Sequence, residues 1–202
     1  MNALSENLET FDLLLLAQSY SDTLYRHSVA VAAYSCLIAQ KLNWISQPTL
    51  AKLSIAGLFH DIGKKELPIQ LINKRKKFMT ADEISLFETH PTRGRDLLAS
   101  TPSFPRDILQ IVLQHHENNS ETGYPHHTPR QNIHPLAKVI HVSDHFSHLL
   151  MEQEHQDLKT CQAVLNEMFT YQLADMDIKS LLALMSLFNC SIPKFLKNGA
   201  MQ

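Results

Sequence analysis

An all-α helical bundle of about seven to nine helices is the fold this sequence predicts, on three observations. Apolar residues recur three and four apart through successive segments of the 202-residue chain, and no alternating strand pattern recurs. Only 5 glycines occur, and several of the 9 prolines stand where one apolar segment gives way to the next. Hydrophobic residues make up 44% of the chain, enough to bury a substantial core.

Residues 7–18 read as a short helix with Leu8, Phe11, Leu14 and Leu15 on one side. Ser21 or Asp22 caps a longer helix to Leu42, whose apolar positions Leu24, Val29, Val31, Ala32, Leu37 and Ile38 predict a core element. Asn43-Trp44 ends it, and Gln47-Pro48 opens a helix over 48–60 that delivers His60 and Asp61 at its C-terminal end. Residues 63–79 form a connection with one apolar turn at 69–72. Thr80 and Glu83 make a capping box for a helix that turns Ile84, Leu86 and Phe87 inward and reaches His90. Pro91 opens a short helix through Leu97-Leu98, and Pro105 opens another that ends at His115-His116-Glu117. Residues 118–134 are a loop rich in Asn, Ser, Gly, Pro and Thr. Helices follow over 136–152, 157–173 and 176–188, and the tail after Pro193 frays.

The formal net charge of -2 gives no electrostatic case for polymeric nucleic acid or an anionic membrane. The leucine run 13–16 is too short, and too acidic at its flank, for a signal peptide or a spanning helix. Cys36, Cys161 and Cys190 are far apart and odd in number, so they read as reduced thiols in a cytoplasmic protein.

The unusual figure is 12 histidines. His27, the pair His60-Asp61, His90, the pair His115-His116 and Asp144 each sit on or at the end of a helix that otherwise reads as core. Singly, each has an ordinary reading: a satisfied core histidine for His27, a capped helix end for His60-Asp61, a solvated face for Asp144. Together they are better explained by a bundle that brings facing side chains to one interior point, because buried charge is costly unless it is paired or holds a metal. Seven nitrogen or oxygen donors exceed what one zinc ion takes and suit two ions sharing a carboxylate. The histidine-rich mixture favours iron, manganese or zinc over magnesium or calcium. Two such ions about 3.5–4 Å apart are a phosphoester-hydrolysis device. Lys64, three residues beyond Asp61, is placed to hold a phosphate oxygen.

In the order and spacing of its motifs the chain resembles the HD-GYP family, a branch of the HD phosphohydrolase superfamily, over about residues 20–155. The matching segments begin with His60-Asp61-Ile62-Gly63-Lys64 and continue through Leu67-Pro68 to Asn73-Lys74. Thr80 to His90-Pro91 follows, with Gly94 and Leu97-Leu98, then His115-His116-Glu117, the triad Gly123-Tyr124-Pro125, and Asp144. The resemblance implies an HD-domain bundle with a GYP loop. It implies metal ligands His27, His60, Asp61, His90, His115, His116 and Asp144, with Asp61 bridging two divalent ions, iron or manganese foremost and zinc also suited. Asp61 and Lys64 would be catalytic, and Lys64, Gly123, Tyr124 and Pro125 would contact substrate. The implied reaction is attack of a bridging hydroxide on a cyclic dinucleotide, cyclic di-GMP, opening it to pGpG and often carrying it on to GMP. The implied partners are that substrate and, since the chain leaves no room for an ordinary sensory domain, a regulating protein or a homodimer.

Several positions depart from the family pattern. Thr23 stands where members with a third metal carry glutamate, so two ions are expected; Ala30 replaces a usual arginine. Glu121 replaces a common glycine, which puts a carboxylate near an anionic substrate. Residues 151–157, Met-Glu-Gln-Glu-His-Gln-Asp, are acidic and amide-rich where many members carry an arginine and a lysine that hold the dinucleotide. The run Lys74 to Lys77 reads first as a solvated basic loop and second as a patch that steers an anionic nucleotide. Tyr124 either stacks on a base or packs the loop, and His126, His127 and His134 are not ligands. With the metal core intact and the nucleotide grip weakened, two alternatives stand: a weakly active or inactive adaptor that binds a nucleotide or protein, and an HD phosphohydrolase with another nucleotide substrate. The expected organisation is a short helix at 1–19, the catalytic core at 20–155 and C-terminal helices at 156–202 packed on that core.

Overall fold

The computed structural model describes residues 22–101, 104–153 and 157–191; the expected helix at 7–18, the Ser21 cap and the tail after Pro193 lie outside them. Among the described residues every regular element is helical, as expected. In chain order these are α1 (Asp22–Lys41), α2 (Gln47–Phe59), the single turn α3 (Ile69–Ile72), α4 (Ala81–Phe87), α5 (His90–Ala99), α6 (Arg106–Gln114), α7 (Pro135–Met151), α8 (Leu158–Tyr171) and α9 (Ile178–Leu187). Short 3-10 turns occupy Ile62–Glu66, Lys76–Phe78 and Arg130–Asn132.

The buried stripes assemble around α1 and α7. α1 lies against α2, α7 and α9, while α8 packs on α7 and α5 packs on α6 and the Ile62–Glu66 turn. Val31, Ile38, Leu53, Phe59, Ile111, Ile140, Phe146, Leu165 and Leu184 are fully buried at the centre. Each such side chain contributes roughly 1.5–3 kcal/mol on leaving water. Helices α1 and α2 touch almost backbone to backbone: a Cβ added at Gly57 would lie 2.6 Å from Ala32 Cα. This close approach brings the end of α2, with His60 and Asp61, level with His27 on α1.

Three expectations need correction. The buried face of α1 runs through His27, Val31, Ser35 and Ile38, one turn apart each time, so Val29 (42%) and Leu37 (40%) point outward. Leu86 on α4 is likewise exposed. The helix opened by the Thr80–Glu83 capping box ends at Phe87 and does not reach His90, which instead starts α5. Pro91 is the cause. It has no N–H to donate to the Phe87 carbonyl four residues back, and that carbonyl accepts from His90 Nδ1 at 2.8 Å instead.

Gly63 fixes the floor of the site. A Cβ there would sit 2.1 Å from the His90 carbonyl oxygen and 2.4 Å from the Gly94 nitrogen, both backbone atoms that cannot step aside. Gly63→Ala is therefore expected to destabilise the fold by about 3 kcal/mol, read as a shift in the urea midpoint, because overpacking against backbone must move whole helices. A variant with the wild-type midpoint would show this contact to be softer than it looks.

Candidate metal centre

The seven expected donors meet at one interior point where α1, α2, α5, α6 and α7 converge. His27, His60, Asp61, His90, His115 and Asp144 are buried, and His116 is partly so. Three of the histidines share one local device. His60 Nδ1 donates to the Gly57 carbonyl at 2.8 Å, His90 Nδ1 to that of Phe87 at 2.8 Å and His115 Nδ1 to that of Val112 at 2.6 Å. Each histidine stands where a helix stops or restarts, so the carbonyl three residues earlier is free of a helical partner. A carbonyl can only accept, so Nδ1 carries the proton and Nε2 offers its lone pair to the centre. Such anchoring of the far nitrogen is the usual outer support of a metal-ligating histidine.

The two aspartates straddle the cluster. Asp61 Oδ1 lies 3.2 Å from His90 Nε2 and 3.8 Å from His115 Nε2, while Oδ2 lies 3.4 Å from His60 Nε2. Asp144 Oδ1 lies 2.9 Å from His27 Nε2 and 3.5 Å from His60 Nε2, and its Oδ2 lies 3.7 Å from His116 Nδ1. The donors sort into two groups, Asp61 with His90, His115 and His116, and Asp144 with His27 and His60; within each group the ligand atoms lie within 4.8 Å of one another. The buried atoms His60 Nε2, Asp61 Oδ1 and His116 Nε2 have no hydrogen-bond partner. Unsatisfied polar atoms at such depth are costly, and a cation in each donor group would satisfy all three, so the residues present fit divalent metal binding.

The electrostatics show how tightly these groups are coupled. Burial drives His90 down to about 4, and burial together with neighbouring His115 holds His116 well below the usual imidazole range. Burial also opposes charge on His60, but with no cation bound Asp61 and Asp144 outweigh it and raise this imidazole to about 10; a cation at Nε2 would take the place of that second proton. Burial would raise both carboxyls, yet Lys64 and His60 hold Asp61, and His27 and His60 hold Asp144, well below the ordinary carboxylate range.

Lys64 leaves the Ile62–Glu66 turn to place Nζ 2.5 Å from Asp61 Oδ2 and 5.3 Å from the centre of the Phe87 ring. The GYP loop closes over the other side. Tyr124 stacks 4.6 Å from the His116 ring at a 31° tilt, and Gly123 passes so near the His116 carbonyl that a Cβ would meet it at 2.4 Å. The Tyr124–Pro125 peptide is cis. His126 and His127 are exposed, and His134 caps α7 by accepting the Leu136 N–H. Glu121 adopts φ 61°, a backbone setting that suits glycine, and its carboxylate accepts the Arg130 N–H at 3.2 Å.

Three contributors had no role assigned from sequence, and a fourth, Lys76, had one only as part of a basic run. Glu117 is 1% exposed, and its two oxygens accept the His126 and Thr128 N–H groups at 2.8 Å each. Gln114 accepts the His134 N–H at 2.8 Å and so pins the far end of the loop. His141 Nδ1 donates to the His115 carbonyl at 3.0 Å; its place one turn before Asp144 was the available signal. Lys76, read first as part of a solvated run, lies 5.0 Å from the centre of the Tyr124 ring. Glu117→Ala should release the loop while leaving bound metal unchanged, since it removes the buried carboxylate that holds two loop amides, at about 1 kcal/mol for each hydrogen bond lost. Hydrogen exchange at the His126 and Thr128 amides measures this directly; retained protection would mean that other contacts hold the loop.

Comparison with known proteins agrees with this geometry. A profile of the HD domain family matches residues 13–178. A cyclic di-GMP phosphodiesterase of Pseudomonas aeruginosa is 32% identical over 132 residues, 65% of this chain and 31% of that protein. A cyclic di-GMP phosphodiesterase response regulator of Xanthomonas campestris is 30% identical over 130 residues, 64% of this chain and 34% of that protein. The chain thus spans roughly a third of the length of these relatives. Among solved structures, an HDG"Y"P protein from Bdellovibrio bacteriovorus superposes with a TM-score of 0.72 at 18% identity, covering 93% of this chain and 65% of that one. The PgpH phosphodiesterase HD domain of L. monocytogenes, in complex with cyclic-di-AMP, superposes with a TM-score of 0.64 at 17% identity, covering 88% of this chain and 93% of that one. Both structural likenesses concern the fold. The family profile spans every residue of the centre, so the chain belongs to the HD domain family and, with its GYP loop folded against His116, to the HD-GYP type within it.

Proposed function

We propose that this chain is a metal-dependent phosphodiesterase that hydrolyses a cyclic dinucleotide, cyclic di-GMP, to pGpG and GMP. The observation that carries the reading is the pair of donor groups joined through Asp61 and Asp144, with Lys64 on the joining carboxylate. His27, His60 and Asp144 would hold one divalent ion, and His90, His115 and His116 the other, with Asp61 between them. Iron or manganese suits this donor mixture best, and zinc suits it as well. When bound, the ions supply Lewis-acid charge that polarises the phosphate and activates water.

The rest is done by the chain. The backbone-anchored imidazoles are set before substrate arrives, so the cluster needs little reorganisation during reaction. Lys64 spends one of its three donors on Asp61 and keeps two for a non-bridging phosphate oxygen, where negative charge develops. Tyr124 covers His116 and, with Gly123 and Pro125, forms the rim over which the nucleotide must pass. The relatives in Pseudomonas and Xanthomonas, both named as cyclic di-GMP phosphodiesterases, support the choice of substrate. We place the activity in the cytoplasm. Its three cysteines are free thiols, and no described helix is long and apolar enough to cross a membrane.

A second reading, a feebly active nucleotide-binding adaptor regulated by a protein partner or by homodimerisation, is favoured by the acidic and amide-rich stretch 151–157. Metal analysis and a substrate panel separate the two. We expect two ions per chain and preferential cleavage of cyclic di-GMP over cyclic di-AMP and mononucleotides. One ion per chain would undo the two-metal assignment, and a preference for another nucleotide would redirect the substrate assignment.

A further inference from the structure

We infer that Lys76 is the anchor for the second phosphate of the dinucleotide, and that the groove beside Tyr124 seats the nucleotide half remote from the bond being cut. This rests on the function proposed above. A cyclic dinucleotide carries two phosphodiesters in one ring, so a site that cuts one must accommodate the charge of the other. Lys64 is committed to the first, through Asp61.

Lys76 sits over the Tyr124 ring, which in turn stacks on His116 of the metal centre. Lys76 Nζ lies 5.0 Å from the Tyr124 ring centre, and the Tyr124 ring lies 4.6 Å from that of His116. Glu88 Oε1 steadies the ammonium at 2.7 Å, yet the side chain remains 52% exposed. An ammonium has three donors, so two are left for a phosphate. Its neighbours in the run point elsewhere: Lys74 grips both oxygens of Glu83 at 2.7 and 2.8 Å, and Lys77 lies 5.1 Å from the Phe78 ring. The basic run is therefore sorted, with Lys76 turned onto the GYP loop.

Beside Lys76 a groove of about 460 Å³ opens, walled by Glu88, Thr92, Arg93, Tyr124, Pro125 and His127. That volume falls within the roughly 300–1,000 Å³ of small-molecule sites. Its chemistry suits a purine nucleotide. Arg93 offers guanidinium donors beyond those it gives Thr89 at 2.8 Å and Glu66 at 3.4 Å, and the Glu88 oxygen not held by Lys76 can accept from a guanine donor edge. The groove thus supplies from α4–α5 the cationic grip that the stretch after Asp144 lacks.

The test uses the full chain loaded with manganese, with the cleavage-resistant bis-phosphorothioate analogue of cyclic di-GMP as binding probe in equilibrium dialysis. Lys76→Ala should weaken binding about tenfold or more, as expected for losing a charged donor. Lys76→Arg should stay within roughly threefold of wild type. Lys77→Ala, the same charge change outside the groove, should bind like wild type, and bound metal should be equal in all four proteins. Wild-type binding by Lys76→Ala overturns the proposal, as does an equal loss in Lys77→Ala, which would indicate diffuse charge steering. No binding by the wild-type chain also overturns it. Turnover of unmodified cyclic di-GMP by the same wild-type sample tests the enzymatic reading separately, so probe binding that depends on Lys76 without turnover would sink that reading and leave this one standing.

Discussion

Asp61→Ala should abolish turnover, by at least about 10³-fold in kcat/KM or ~4 kcal/mol of transition-state stabilisation, and should empty at least one metal position. The reason is its double position. Oδ1 faces His90 and His115 while Oδ2 faces His60 and Lys64, so its removal disconnects both donor groups at once. It also leaves Lys64 and His60 without their shared counter-charge in a dry interior, and breaking a buried pair from one side costs roughly 3–5 kcal/mol. The metal-free variant should consequently unfold at lower urea than metal-free wild type. Metal content, turnover and urea midpoint are three independent readouts. Two ions still bound at wild-type affinity would contradict the bridging assignment even if activity were lost.

Lys64→Ala should have the opposite signature: unchanged metal content and a kcat lower by roughly 10²–10³-fold, the range for removing one preorganised donor to developing charge. Lys64 touches Asp61 at 2.5 Å but belongs to neither donor group, which is why binding and chemistry separate at this residue. The effect should be large here because residues 151–157 carry no lysine or arginine to share the load. Unchanged turnover at full metal content would remove Lys64 from the mechanism.

The seven donors were legible in the sequence because each interrupts an apolar helical period with a group that a core does not tolerate unpaired. The helical fold was legible for the complementary reason: caps such as Thr80–Glu83 and breaks such as Pro105 mark ends with local chemistry. The end of α4 was less legible, because Ile84, Leu86 and Phe87 carry the apolar period on toward His90 and Pro91 reads as the start of the next helix rather than as the loss of the N–H that would bond the Phe87 carbonyl. The His90 imidazole, three residues on, takes up that carbonyl instead. The two-sided contact of Asp144 was invisible, since it requires α1, α2 and α6 to arrive at one carboxylate. Glu117 bonds to amides nine and eleven residues ahead across an irregular loop, a spacing with no repeating pattern to betray it. Lys76 looked like any other lysine in a basic run until Tyr124 was placed beneath it.

One measurement bears most directly on the central claim: product chromatography after incubating the anaerobically iron- or manganese-loaded chain with cyclic di-GMP, with bound metal determined on the same sample. Two ions per chain accompanied by pGpG and GMP at enzyme-like rates is the predicted result. Two bound ions with intact cyclic di-GMP would contradict it and leave the centre as a metal-bearing nucleotide sensor.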